Sequence, residues 1–443
     1  MAILQAMSSI DVRALLLGIL TAVFLLWLVR RPRNLPPGPW GWPLLGYLPQ
    51  LAMIKVPTYE ALTELGRRYG PVYSFYLTNQ LVVVLQDFDV MKKALSTYQL
   101  SGRPTYQISQ RTLPGHGVMS ASGEKWLELR KFSVTTLRGL GMAKSSFEKQ
   151  ISLEVECCLE EIRKKKGQEF DPNYILDSAV ANVVCLVVFG KRFEYTDPTY
   201  IELLSITNML NELLSAGGAL EFIPVFAKLT FLPIVRKQIA VNERLMVIFK
   251  KVMDDHNEDY QPGVSRDYID AFCNEMQLKG EQGATTYMDT ATLYYSISGL
   301  FGAGGETLTS TLRWALLYMV AYPEVQTHVQ QELDRVVGRD RQPEIADKPQ
   351  LPYTLAVLCE IQRIGNVVPL GVPHRCMEDT TILGYHIPEG AIVLTNLWDL
   401  HRDGTVWTNP EEFKPERFLD SDGNFRSSDR LVPFGIGKGI VGR

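Results

Sequence analysis

Sixteen uncharged residues, Ala14 to Val29 (ALLLGILTAVFLLWLV), run straight into Arg30, Arg31 and Arg33 and then into Leu35-Pro36-Pro37-Gly38-Pro39. Only Gly18 and Thr21 interrupt the apolar circumference, whereas a helix buried in a soluble core normally keeps a polar stripe. The run is slightly short of the usual ~17–25 residue span and extends through Val12 if Arg13 snorkels, so it reads as a membrane helix. No small-residue cleavage pattern follows it, which argues against a removed signal peptide. Three arginines downstream against Arg13 and Asp11 upstream place the N-terminus in the lumen and everything after residue 30 in the cytosol. The prolines fix φ and disfavour helix in the residues before them, so the anchor cannot continue into the rest of the chain. The resulting division is an anchor over 1–33, a stiff proline hinge over 34–45 and one domain over 46–443.

That domain folds and buries a large core. Of 443 residues, 46% are hydrophobic and 21% charged, which excludes collagen-like, coiled-coil and disordered chains. Forty-five basic against 49 acidic residues leave a net charge of -4, so no overall basic excess marks a nucleic-acid binder. Six cysteines (Cys157, Cys158, Cys185, Cys273, Cys359, Cys376) are too sparse for a disulfide framework and agree with a reducing cytosol. Strand-like runs at Val72 to Leu77 and Leu81 to Leu85 flank Thr78-Asn79-Gln80 in a hairpin-like spacing. Helical periodicity then covers Phe147 to Lys165, Tyr174 to Phe189, Arg236 to Asn257, Thr286 to Tyr322, Pro323 to Val337 and Leu355 to Arg363. Breaks fall at Gln261 to Val264 and Lys279 to Gly283. The fold class is mainly α with a minor β part.

Within the longest helical pattern stands Ala303-Gly304-Gly305-Glu306-Thr307, with Gly302 just before it. Each glycine costs about 1 kcal/mol against alanine in a helix interior, so something must compensate. Glycine lets a flat ligand approach the backbone, and Glu306 and Thr307 offer an acid and an alcohol that can pass protons; a helix crossing beside a solvated glutamate is the plainer explanation. Glu360 and Arg363, at i and i+3, suit a surface ion pair. They are followed by Phe413-Lys414-Pro415-Glu416-Arg417-Phe418 and by Phe434-Gly435-Ile436-Gly437-Lys438.

In this order and at these spacings, together with Trp126-x-x-x-Arg130 and the proline run, the motifs resemble the cytochrome P-450 family of haem-thiolate monooxygenases, in particular its membrane-anchored microsomal members. The resemblance covers nearly the whole chain and implies a cytochrome P-450-like fold in the endoplasmic reticulum membrane. It implies that Arg103, Trp126, Arg130 and His374 hold haem propionates, because buried carboxylates need such partners. It implies that Ala303 and Gly304 lie against the haem, that Phe434 opens the haem-binding loop, and that Glu306 and Thr307 deliver protons to bound oxygen. Glu360, Arg363 and Arg417 correspond to a buried structural ion network. The implied reaction inserts one oxygen atom of O2 into a lipophilic small molecule. Its electrons come from NADPH through a flavoprotein reductase, with a b-type cytochrome as a further donor, and Arg130, Lys131 and Arg138 resemble the family's docking surface for such a donor. Thr105 to Val118, Ile206 to Phe226, Tyr294 to Ala303 and Val367 to Val372 would line the pocket, with Gln107, Arg111 and Asn211 as polar orienters.

The ending departs from the pattern. The family's Phe-x-x-Gly-x-x-x-Cys-x-Gly puts the iron-ligating cysteine seven residues after Phe434, where Val441 stands, and Gly439 and Arg443 occupy the places of a basic residue and a glycine. A valine cannot donate to iron, so the chain as written is expected to be inactive. The expectation is of a fold truncated at its C-terminus, from an alternative or faulty transcript or an incomplete gene model. A catalytically dead, membrane-tethered isoform acting only through its partners is the alternative.

Overall fold

The computed structural model describes residues 34–111, 117–141 and 145–437, with residues 16–18, 20, 21 and 24 before them. Most of the expected anchor, Ala14 to Val29, lies outside the described residues, as do Lys438 to Arg443 with Val441. Among the described residues no helix is long and apolar enough to cross a membrane.

The β part comes first. Val72–Leu77 (β1) and Gln80–Leu85 (β2) are rich in β-branched and aromatic residues and pair antiparallel from Val72↔Leu85 to Leu77↔Gln80. Gln80 thus belongs to the strand rather than to the turn, which is the two residues Thr78-Asn79, with Thr78 at φ 55°. Four short strands follow much later: His374–Arg375 (β3), Thr380–Ile382 (β4), Tyr385–Ile387 (β5) and Ile392–Thr395 (β6). The main sheet has the order β1-β2-β6-β3, so residues some 300 positions apart in the chain become neighbours, and His374 arrives at an edge. β4 and β5 form a separate hairpin.

The proline run is not a free spacer. Ser74 of β1 donates its N–H to the Pro37 carbonyl at 2.8 Å and its hydroxyl to the Pro36 carbonyl at 2.9 Å, and Trp42 and Gly46 bridge. The segment from residue 34 is laid onto the sheet.

The longer helices among the described residues are α1 (Thr58–Tyr69), α2 (Phe88–Leu95), α3 (Gly123–Gly139), α4 (Ser145–Arg163), α5 (Asn173–Phe189), α6 (Pro198–Gly217), α7 (Pro233–Glu258), α8 (Tyr268–Glu281), α9 (Thr290–Ala321), α10 (Pro323–Val336) and α11 (Pro352–Gly365). The expected break at Lys279 moves to Gln282, because α8 runs through Gly280 to Glu281. The long helix starts at Thr290 rather than Thr286, because Asp289 caps it by accepting the Thr292 N–H at 2.6 Å. α9 ends where Pro323, which has no N–H to continue the ladder, opens α10 at its first position. α5, apolar almost all round, is accordingly buried and packs on α9. Cys185, Leu203, Phe249, Phe272, Ile297 and Phe301 meet in this helical core, while Val83, Leu85, Val393 and Leu397 form a second core under the sheet.

Candidate functional site

The polar cluster proposed for an anionic ligand is assembled at the sheet edge. A Cβ on Gly102 would lie 2.8 Å from the Arg375 carbonyl, so glycine is what lets the strand edge come this close, with the Arg375 N–H donating to the Gly102 carbonyl at 2.8 Å. Arg103 is thereby set beside His374. Its Nη1 donates to the carbonyls of Pro373 (3.0 Å) and Val372 (3.3 Å), and its N–H to the Ser122 hydroxyl that precedes α3. Among the described residues no carboxylate lies within ion-pair distance of Arg103 or His374. On α3, the Arg130 guanidinium sits over the Trp126 ring at 5.3 Å.

The electrostatics of this cluster point one way. Burial lowers the Arg103 pKa, the charge of Arg130 lowers it further, and only Tyr106 pulls it back. Burial and then Arg103 push His374 down to about 3, so its imidazole is neutral, with one ring nitrogen, Nδ1, 2.8 Å from the Leu100 carbonyl. Two neighbouring guanidiniums, both lowered by burial and Arg103 further by the charge of Arg130, with no carboxylate against Arg103 among the described residues, fit an anion, and carboxylates of the propionate kind suit that donor set.

On α9 the glycines separate. A Cβ on Gly304 would meet Val184 of α5 at 3.1 Å, so that glycine serves a helix crossing, whereas Gly302 and Gly305 have nothing within 4 Å. Ala303 is exposed, and the Thr307 hydroxyl is turned back onto the Ala303 carbonyl at 2.8 Å. Glu306 is half-buried and held at both oxygens: Asn211 of α6 donates to its Oε2 at 2.9 Å and Ser310 to its Oε1 at 3.0 Å.

Glu360, Arg363 and Arg417 meet in one cluster, with Glu360 and Arg363 fully buried. Arg363 holds Glu360 bidentately at 2.7 and 2.8 Å, and its remaining donors reach the carbonyls of His401, Pro410 and Glu412. Arg417 adds a contact to Glu360 at 3.3 Å and ties down the carbonyls of Thr408, Asn409 and Glu412. Sequence reasoning missed His401, which no local signal marks. It is fully buried and accepts the N–H of Val432, two residues before Phe434. Phe434 itself is 74% exposed, while Ile436 packs on the sheet core.

No described side chain offers a replacement for an iron-ligating thiolate. Burial raises the thiols of Cys158, Cys185, Cys273, Cys359 and Cys376, the last two to about 11, which keeps them protonated. His256 is bound to Asp267, His328 is stacked on Tyr353, and His401 is sealed against Val432. Among the described residues, therefore, the propionate end of a haem finds a fitting donor set and the iron end does not.

A mainly helical domain with a small edge sheet, a glycine-bearing long helix and a buried Glu–Arg–Arg lock is the arrangement that the motif resemblance implies. The cytochrome P450 family model matches residues 36–440, and the chain belongs to that family of haem monooxygenases. It is 38% identical over 435 residues to human cytochrome P450 2J2, covering 96% of this chain and 85% of that protein. It is 37% identical over 432 residues to rabbit (Oryctolagus cuniculus) cytochrome P450 2J1 with the same coverage, and 35% identical over 455 residues to bovine cytochrome P450 2U1, covering 96% and 84%.

Proposed function

We propose that this chain carries the scaffold of a membrane-tethered, haem-dependent monooxygenase for a lipophilic small molecule, and that Val441 leaves it without the iron ligand oxygen activation needs. The observation that carries the scaffold reading is the cluster of two guanidiniums, Arg103 and Arg130, with the neutral His374, assembled from three distant segments with no carboxylate against Arg103 or His374 among the described residues. Haem, when bound, supplies the oxidising chemistry; the chain's own residues seat its propionates through Arg103, Trp126, Arg130 and His374 and place Ala303 and Thr307 on an open helix face. Glu306 and Thr307 are the acid and alcohol for proton transfer. Electrons come from NADPH through a flavoprotein reductase, with a b-type cytochrome as a further donor, at the endoplasmic reticulum membrane. The anchor is Ala14 to Val29, the N-terminus lumenal and the domain cytosolic.

The second reading, a catalytically silent isoform that acts by occupying partners, is favoured by Val441 and by the absence of a substitute ligand among the described residues. Reduction under carbon monoxide separates the two. The purified chain is expected to show haem uptake without a thiolate-type Soret band and no hydroxylation of lipophilic compounds. A thiolate-type band with product formation overturns the silent reading, and failure to take up haem at all overturns the scaffold reading.

A further inference from the structure

Two carboxylates lie close together where α5, α6 and α9 meet, and they are treated differently. Asp177 of α5 receives Arg313 Nη2 at 2.6 Å and Asn208 Nδ2 at 3.1 Å. Burial is the main cause that raises the Asp177 carboxyl; Asn208 and Arg313 lower it, and the charge of nearby Glu306 raises it again. Glu306 makes no ion pair among the described residues: its oxygens are taken by the uncharged donors Asn211 and Ser310. The periodicities explain the arrangement. Glu306, Ser310 and Arg313 recur at i, i+4 and i+7 along one stripe of α9, and Asn208 and Asn211 stand three apart on one face of α6.

One cation serves two acids, and it goes to Asp177. Asp177 is held by a charged guanidinium and an amide, whereas Glu306 is held only by neutral amide and hydroxyl donors and keeps no salt bridge that a proton transfer would break. We propose that Asn211 is a positioning residue for Glu306, reaching across from α6 to orient an acid that has no cation of its own among the described residues, so that Glu306 is held in place to pass a proton. This deepens the proposed monooxygenase reading and rests on it for the use of that proton. The holding itself is independent of haem.

The test is infrared spectroscopy of the full chain without added haem, in which the Glu306 carboxylate band is assigned as the one lost in E306Q. Asn211→Ala is expected to shift that band, and Asn211→Asp, which sets a second carboxylate against Glu306, to produce at neutral pH a protonated-carboxyl band that the N211D/E306Q double variant lacks. Asp177→Asn should leave the Asn211-dependent shift in place. An unmoved Glu306 band in both N211A and N211D overturns the proposal, near-ultraviolet circular dichroism serving to show that the variants remain folded. Arg103→Ala should lower haem uptake with the Glu306 band unchanged, so failure of the monooxygenase reading and failure of this one are separately visible.

Discussion

The Val432 N–H donates to His401 Nε2 at 3.0 Å, while the His401 carbonyl accepts from Arg363 at 2.7 Å. One buried histidine, through its backbone carbonyl and its imidazole, therefore joins the Glu360–Arg363 lock to the segment that leads into Phe434–Gly437. Neutrality is the condition for this, because only an unprotonated Nε2 can accept.

Burial, with the charges of Arg363 and Arg402, pushes His401 down to about 3, against about 6.5 in an unfolded chain. Below pH 6.5 the unfolded state binds a proton that the native state refuses, so this contribution is full above that pH and is lost as the pH falls towards 3. The slope approaches about 1.4 kcal/mol per pH unit for this one group. Urea unfolding between pH 7 and pH 4 should show it, and His401→Gln, which keeps an acceptor for Val432 but cannot titrate, should flatten it.

Removing Arg363 takes the bidentate partner from the buried Glu360 and leaves it only Arg417 at 3.3 Å and the Lys414 N–H at 2.9 Å. Arg363→Met should cost about 3–5 kcal/mol by denaturant unfolding, whereas Arg417→Lys, which loses a fork of carbonyl contacts but keeps a cation near Glu360, should cost about 1–2 kcal/mol. Equal losses would mean that the cluster is not organised around Glu360 and Arg363.

If Arg103 seats a carboxylate, Arg103→Ala should weaken uptake of protoporphyrin with free propionates by about tenfold or more, from a charged hydrogen bond of about 1.5–3 kcal/mol. The dimethyl ester of the same ring should bind wild type and variant alike. Fluorescence quenching titrations compare the four pairs.

The glycines should divide by their surroundings. A Cβ on Gly117 would lie 2.4 Å from the Ser296 backbone nitrogen, so Gly117→Ala should destabilise by about 1–3 kcal/mol. Gly305 has open space around it, and Gly305→Ala should raise the thermal midpoint of the haem-free chain through a helix-propensity gain of about 1 kcal/mol.

The sheet hairpin and the long helices were legible from periodicity, because β1 and β2 pair locally and α5, α7, α9, α10 and α11 carry their own repeat. Motif order identified the family, and Val441 as the residue at the ligand position is a matter of sequence alone. The short strands β3 to β6 offered too few residues for a period, and the sheet that unites them with β2 is a pairing across some 300 residues. No local pattern could announce that His401 would be buried beneath Val432, or that Gly304 would spend its missing Cβ on Val184. The Glu306 carboxylate was expected in solvent or at a ligand, and instead it is held by an asparagine 95 positions away. Sequence sets which side chains exist and what each segment prefers; which polar atom meets which is decided only when burial removes water and every buried donor must find the acceptor that packing places beside it.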